Sequence, residues 1–348
     1  MKITAEYLDN LPVHFVLCTE RTGSSLMSLM LNLHSKIICP SEEQFALYFA
    51  KKYSKKVNWT DSDIEKYVDE FWLMFEKNID LYFSDKETFL NNLKQHREFL
   101  NYSRLVKLSY LHFIDLKDKS EIEVIVDKQI KYFFHLPALI ELFPSAKFIV
   151  LTRDVRDNII SKKKRALNWN QNPFFLAYLW SQSYSNMNQL QNKSVLIVKF
   201  EDFIAHTEST LKKICHFLNQ EFQLSMLQTE GVFDRLIESK KERMQKQYVE
   251  KLKDFHSGLN SVPNTKKIGV YKEMEANELR AIESICGDLL EKFDYDLTEK
   301  QENSFSLKKI YFSFLAKCYR TYLLKFYFKL PLIIKLHLKK IRRKDLNV

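Results

Sequence analysis

The sequence predicts an α/β fold built on a central parallel sheet covered on both faces. Four short runs are apolar, rich in β-formers and bounded by breakers: VHFVLC (13–18), IEVIVD (122–127), KFIVLT (147–152) and SVLIVKF (194–200). The intervals between them carry helical periodicity. Two of the runs, at 13–18 and 147–152, pass through a turn straight into a helical pattern. Continuously apolar strands that alternate with helices are what a sheet buried on both faces requires.

The interval from about 41 to 115 is helical and aromatic, as in DIEKYVDEFWLMFEKNIDLYF. Strands lie on both sides of it in sequence, so it reads as an inserted helical cap. ANELRAIESICGDLLEK (276–292) is an amphipathic helix that closes the body. Trp59, Trp72, Trp169 and Trp180 read as core or cap packing, and His14, His34 and His135 as structural histidines.

Composition excludes several classes. At 45% hydrophobic and 28% charged, the 348-residue chain is an ordinary folded protein with a sizeable core. It has five glycines, where average usage would give roughly two dozen. Neither a three-glycine dinucleotide fingerprint nor a Walker A loop can be built from them, which argues against dinucleotide oxidoreductases and nucleotide kinases. The five cysteines are scattered, with no zinc spacing, so reduced thiols in a cytoplasmic protein and no metal are expected. MKITAEYLDNLPVHFVLC shows no signal-peptide core, and no apolar run is long enough to span a membrane. Of the net charge of +10, residues 304–348 supply twelve Lys or Arg against one acid, Asp345. The body is therefore close to neutral, and no nucleic-acid partner is expected.

In open α/β sheets ligands bind beyond the carboxyl ends of the strands. TERTGSS (19–25) occupies that place after the first run. Backbone N–H groups at the helix start, Gly23 without a Cβ, the hydroxyls of Ser24 and Ser25, and the Arg21 fork together describe an anion cradle. The alternative is that Gly23 only turns the chain and Ser24 only caps the helix. KFIVLTRDVRDNIISKKKR (147–165) repeats the layout. Arg153 stands at the strand end, and Ser161 and Arg165 lie one helical turn apart on a common face, a set able to grip a phosphate. Asp154 and Asp157 suit the first turn by dipole alone, and Lys162 to Lys164 read as a solvated face.

Together the two motifs resemble the sulfotransferase family that uses 3′-phosphoadenosine 5′-phosphosulfate (PAPS), nearest the Golgi-type carbohydrate, tyrosylprotein and bacterial branch. Arg21-Thr22-Gly23-Ser24-Ser25 matches the family's phosphosulfate loop, and Arg153 with Ser161 matches its 3′-phosphate motif. LPALIELFPSAKFIVLTRDVRD resembles the lead-in to the second strand, and KKIGVYKEMEANELRAIESICGDLLEKFDY (266–295) the C-terminal segment. The resemblance spans roughly 12–296. It implies a P-loop-like three-layer sandwich over residues 1–303, PAPS as co-substrate and metal-independent, in-line transfer to a hydroxyl. It further implies that Arg21, Thr22, Gly23, Ser24, Ser25 and Leu26 cradle the phosphosulfate, with Arg153, Ser161, Arg165, Phe200, Lys267 and Gly269 as further nucleotide contacts. Phe200 would stack on adenine. Lys128 would sit near the leaving group at a strand end, and Glu42, or its neighbour Glu43, would be the general base. Ile130 stands where the cytosolic branch carries a base histidine, so no histidine acts there. The rival readings are a tyrosylprotein or small-molecule O-sulfotransferase, and a degenerate relative that binds nucleotide without transfer.

The tail (304–348) mixes its cations with nine aromatics. On a helical wheel Lys308, Lys309, Lys317, Arg320, Lys325 and Lys329 spread around the axis, and Pro331 interrupts the pattern. It reads as a basic helical tail seeking an anionic membrane surface, or else as helices packed on the body. The expected setting is the cytoplasm, with peripheral contact at the inner membrane face and a glycan or glycolipid acceptor.

Overall fold

The structure, a computed structural model, describes residues 3–40, 44–113, 121–165, 170–240, 249–250, 253, 259, 264–298, 307–320, 325–331, 333–335 and 337–338. Its strands are β1 (Val13–Cys18), β2 (Ile37–Ile38), β3 (Val124–Gln129), β4 (Phe148–Thr152) and β5 (Val195–Lys199). All pairings are parallel, in the order β2–β3–β1–β4–β5. Four strands are those the sequence predicts. β2 is new; at two residues it is too short to carry a periodic signal. β3 starts two residues later than expected and runs through Lys128, which pairs in register with Val16.

Every residue of β1 is buried, as a central strand requires. Phe15 and Leu17 face one layer, Val16 and Cys18 the other. The second layer holds α2 (Ser24–Asn32), α10 (Phe200–Ala205), α11 (Thr207–Phe217) and α12 (Val232–Lys240). The first holds α7 (Leu136–Leu142), α9 (Pro173–Ser185), the helix Ala276–Lys292 and the cap.

The cap comprises α3 (Phe45–Tyr53), α4 (Asp61–Tyr82), α5 (Lys86–Gln95) and α6 (Tyr102–Leu111), inserted between β2 and β3. Rings fill its core, mostly edge to face, as in Phe45–Phe71 at 5.2 Å, Phe49–Tyr67 at 5.1 Å and Phe83–Phe89 at 4.9 Å. Trp59 stacks on Tyr53 and Trp180 is fully buried, both as packing groups. A carboxylate ties cap to sheet. Asp127 on β3 accepts from Tyr110 of α6 (2.6 Å), Tyr132 (2.7 Å) and Gln129 (2.8 Å). Complete burial still pushes its pKa up to about 6.

The first helix of the tail, Leu307–Lys317, packs along α9. Phe312 stacks on Phe174, Tyr319 meets Phe175 edge-on, and Ala316 is fully buried. Farther on, Lys335 is buried against the Tyr48 ring of the cap. The described tail is thus seated on the body.

His14, the second residue of β1, accepts from the Lys147 amide through Nδ1 (3.1 Å). Burial, then the Lys147 charge, lowers its pKa from 6.5 to about 4. The unfolded chain takes up this proton near its ordinary value while the fold resists it, so stability falls as pH drops from about 6.5 toward 4. His14→Gln is expected to flatten that part of the acid limb in urea titrations at several pH values, leaving stability at pH 8 little changed.

Candidate functional site

β1 ends at Cys18, and Thr19 to Gly23 turn the chain into α2. Thr22 Oγ1 donates to the Thr19 carbonyl at 2.8 Å, closing the turn. Gly23 is the N-cap at φ 81°, with no side chain capping the helix, so the leading amides of α2 are presented to the crevice. Two constraints fix glycine here. The left-handed backbone disfavours a Cβ, and a Cβ would come within 2.5 Å of the Phe200 ring. Arg21 is itself left-handed at φ 66°, a strain of about 1–2 kcal/mol for a residue with a Cβ. Two bonds hold it there: Asn158 Nδ2 to the Glu20 carbonyl (2.7 Å) and Arg153 Nη1 to the Arg21 carbonyl (2.9 Å).

The second motif converges on the first. Arg153 follows β4, and α8 (Val155–Lys164) carries Ser161 and ends at Arg165. Arg21 Nε donates to Ser161 Oγ at 3.0 Å. Arg153 Nη2 donates to the Lys267 carbonyl at 2.7 Å, drawing in the 265–269 segment. Phe200, the first residue of α10, lies under the Arg153 guanidinium at 4.6 Å. Phe200 is 7% exposed, its ring meeting Gly23 as well as this cation.

Four cations therefore share one crevice. Burial, then Arg165 and Arg153, lowers the Arg21 pKa; burial, then Arg21, Arg153 and Arg165, lowers that of Lys267. Like charges gathered this way call for an anion. Arg153 Nε is buried without a hydrogen-bond partner among the described residues, a donor such an anion would satisfy. These residues fit a phosphate-bearing ligand.

Thr22, Ser24 and Leu26 are buried around the turn and Ser25 is half-buried. Lys128 is buried at the carboxyl end of β3, as its last residue but one. Its side chain lies on a strand whose alternate residues, Val124 and Val126, face the α2 layer. The expected bases Glu42 and Glu43 lie outside the described residues. Among the described residues no cluster of His, Cys, Asp or Glu has the makings of a metal site.

Asp157 has a structural task that its helix-dipole reading misses. Its carboxylate accepts from the amides of Gly269 (2.7 Å) and Tyr271 (2.8 Å), clamping the segment that carries Lys267 onto α8. Gly269 is left-handed at φ 74°, which starts the short turn Val270–Glu273. The signal was present: residues 153, 157, 161 and 165 are spaced by four, hence on one face. Arg156 secures the same segment from below. It donates to Asp154 (2.6 Å) and Glu283 (2.5 Å) and lies 3.8 Å from the centre of the Tyr271 ring. Lys162 departs from the expected solvated face. It is buried and pairs with Glu20 at 3.2 Å.

Gly23→Ala should lower the melting temperature by several degrees, through roughly 1–2 kcal/mol of backbone strain plus displacement of the Phe200 ring. Adding Phe200→Leu should recover only the steric part, which thermal scans of both variants would read.

The model of the sulfotransferase family matches residues 12–223. No curated protein matches the chain. Among solved structures, the sulfotransferase domain from the Synechococcus PCC 7002 olefin synthase is 17% identical with a TM-score of 0.52, covering 82% of this chain and 95% of its own. The sulfotransferase domain from the curacin biosynthetic pathway is 19% identical with a TM-score of 0.48, covering 82% and 99%. A mouse sulfotransferase complexed with PAP is 12% identical with a TM-score of 0.42, covering 91% and 93%. The first shares this α/β fold, and the family match spans most of the sheet and both motifs: the chain belongs to the sulfotransferase family.

Proposed function

We propose that this sulfotransferase moves the sulfuryl group of PAPS to a hydroxyl of a carbohydrate or glycolipid acceptor, from the cytoplasmic side. One observation supports the donor assignment: Arg21 Nε donates to Ser161 Oγ at 3.0 Å, so the two motifs meet at one edge of the sheet. A single adenosine with phosphate groups at both ends matches it. All five cysteines are free, which supports a reducing compartment. A hydroxyl acceptor follows from the family chemistry, and the glycan or glycolipid class from the expected setting at the inner membrane face; the arginine that opens the loop is common to the carbohydrate, tyrosylprotein and bacterial branch and does not choose among them.

In the proposed reaction the acceptor oxygen bonds to sulfur while the bond from sulfur to the donor's 5′-phosphate oxygen breaks. Adenosine 3′,5′-bisphosphate leaves. The leading amides of α2, with Ser24 and Ser25, hold the phosphosulfate oxygens. Arg21 and Lys128 neutralise charge on the departing phosphate oxygen, the electrostatic role that dominates such transfers. Arg153, Ser161 and Arg165 grip the 3′-phosphate and fix the donor in line. Glu42 takes the acceptor proton, with Glu43 as its alternative.

Incubation of the full chain with radiolabelled PAPS and pooled glycans, glycolipids, peptides and small phenols would test this. Label is expected in a carbohydrate-bearing product. Arg21→Ala should reduce transfer by about 100-fold or more, and one of Glu42→Ala and Glu43→Ala should do the same while donor binding persists. Near-normal rates in both glutamate variants would remove the carboxylate base. Label confined to peptides or phenols would overturn the acceptor class.

A further inference from the structure

We propose that the outward face of the tail helix Leu307–Lys317, together with the apolar residues that follow it, is a docking surface for an anionic lipid bilayer. The helix has two apolar faces and the body takes only one. Phe312, Leu315, Ala316 and Tyr319 pack inward on the core. Leu307, Ile310, Tyr311 and Phe314 are left 76%, 52%, 59% and 65% exposed, at the spacing of a single helical stripe. Phe326 and Ile333 continue the exposed apolar character at 64% and 75%. The helical wheel alone shows cations all around; with the inward face accounted for, exposed Lys308 and Lys317 instead flank the stripe. An apolar stripe edged by lysines is the pattern of a helix lying in the headgroup region, its cations reaching the lipid phosphates.

Charge chooses the occupant. Residues 304–348 hold twelve cations against one acid, so a second copy of the chain would set like charge against like. An anionic bilayer complements both the stripe and its rim. No helix among the described residues is long and apolar enough to cross a membrane, so the surface lies on the bilayer. The stripe is also held firmly. Arg320, just beyond the helix, is buried, and its charge and that of Lys162 act on Glu20, the neighbour of Arg21. Docking would thus hold the donor crevice at a set orientation to the lipid. This inference stands apart from the acceptor reading, since it concerns a surface and not the reaction.

Co-sedimentation of the full chain with vesicles of phosphatidylglycerol and phosphatidylcholine, against phosphatidylcholine alone, tests it. The expected result is binding to the anionic vesicles only, weakened when salt rises from about 0.1 M to about 1 M. The exposed pair Ile310→Ser with Phe314→Ser should lose binding by tenfold or more, with an unchanged melting temperature and unchanged binding of adenosine 3′,5′-bisphosphate. Equal binding to both vesicle types, no binding to either, or binding unaffected by the double variant would overturn the proposal. So would a dimer in solution that this double variant dissociates, since the face would then be covered by a second copy. Loss of transfer with vesicle binding intact would count against the acceptor reading alone.

Discussion

The carboxyl edge of the sheet depends on how one buried cation, Arg153, satisfies its donors. A guanidinium taken out of water must find acceptors. Arg153 finds two backbone carbonyls, Arg21 and Lys267, from segments far apart in sequence, and spreads over the Phe200 ring. Those contacts assemble the crevice. They hold the strained turn after β1, bring the 265–269 segment over the helix that carries Ser161, and place Phe200 against Gly23. Arg153 Nε is buried with no hydrogen-bond partner among the described residues. Preorganisation of this kind means that anion binding need not first order the loop.

Asp157 and Arg156 are the complement of that arrangement. The carboxylate receives two amides of the 269–271 turn, and the guanidinium beneath joins α8 to the helix Ala276–Lys292 through Glu283. Around α8, Asp157 secures the strap, while Arg153 just before the helix and Ser161 within it meet the Arg21 turn. On the opposite side of β1, Asp127 binds the cap to β3 one residue before Lys128. The cap is thus fixed to the strand that carries this lysine.

The C-terminal segment is neither a free tail nor a plain extension of the core. Its inward face is part of the packing on α9, and Arg320 reaches the region of Glu20 and Lys162. Its outward face remains apolar and exposed.

The sequence by itself determined the sheet, because strands buried on both faces must be apolar throughout; β1, β4 and β5 fall within a residue of their expected limits. It also determined the two anion motifs, since short-range spacing fixes which groups share a turn or a helix face: Gly23 before a helix, Ser161 and Arg165 one turn apart. Local pattern could not show β2, which exists only through its pairing with β3, nor the burial of Lys162, whose charge is tolerated because Glu20 lies beside it. The tertiary structure alone decided that Phe200 meets Gly23 and Arg153, that Asp157 clamps the strap, and which tail face stays exposed. Each of these is a contact between segments from dozens to more than a hundred residues apart, or the outcome of such contacts. Periodicity reports what faces a core, but only the folded chain specifies which residues meet there.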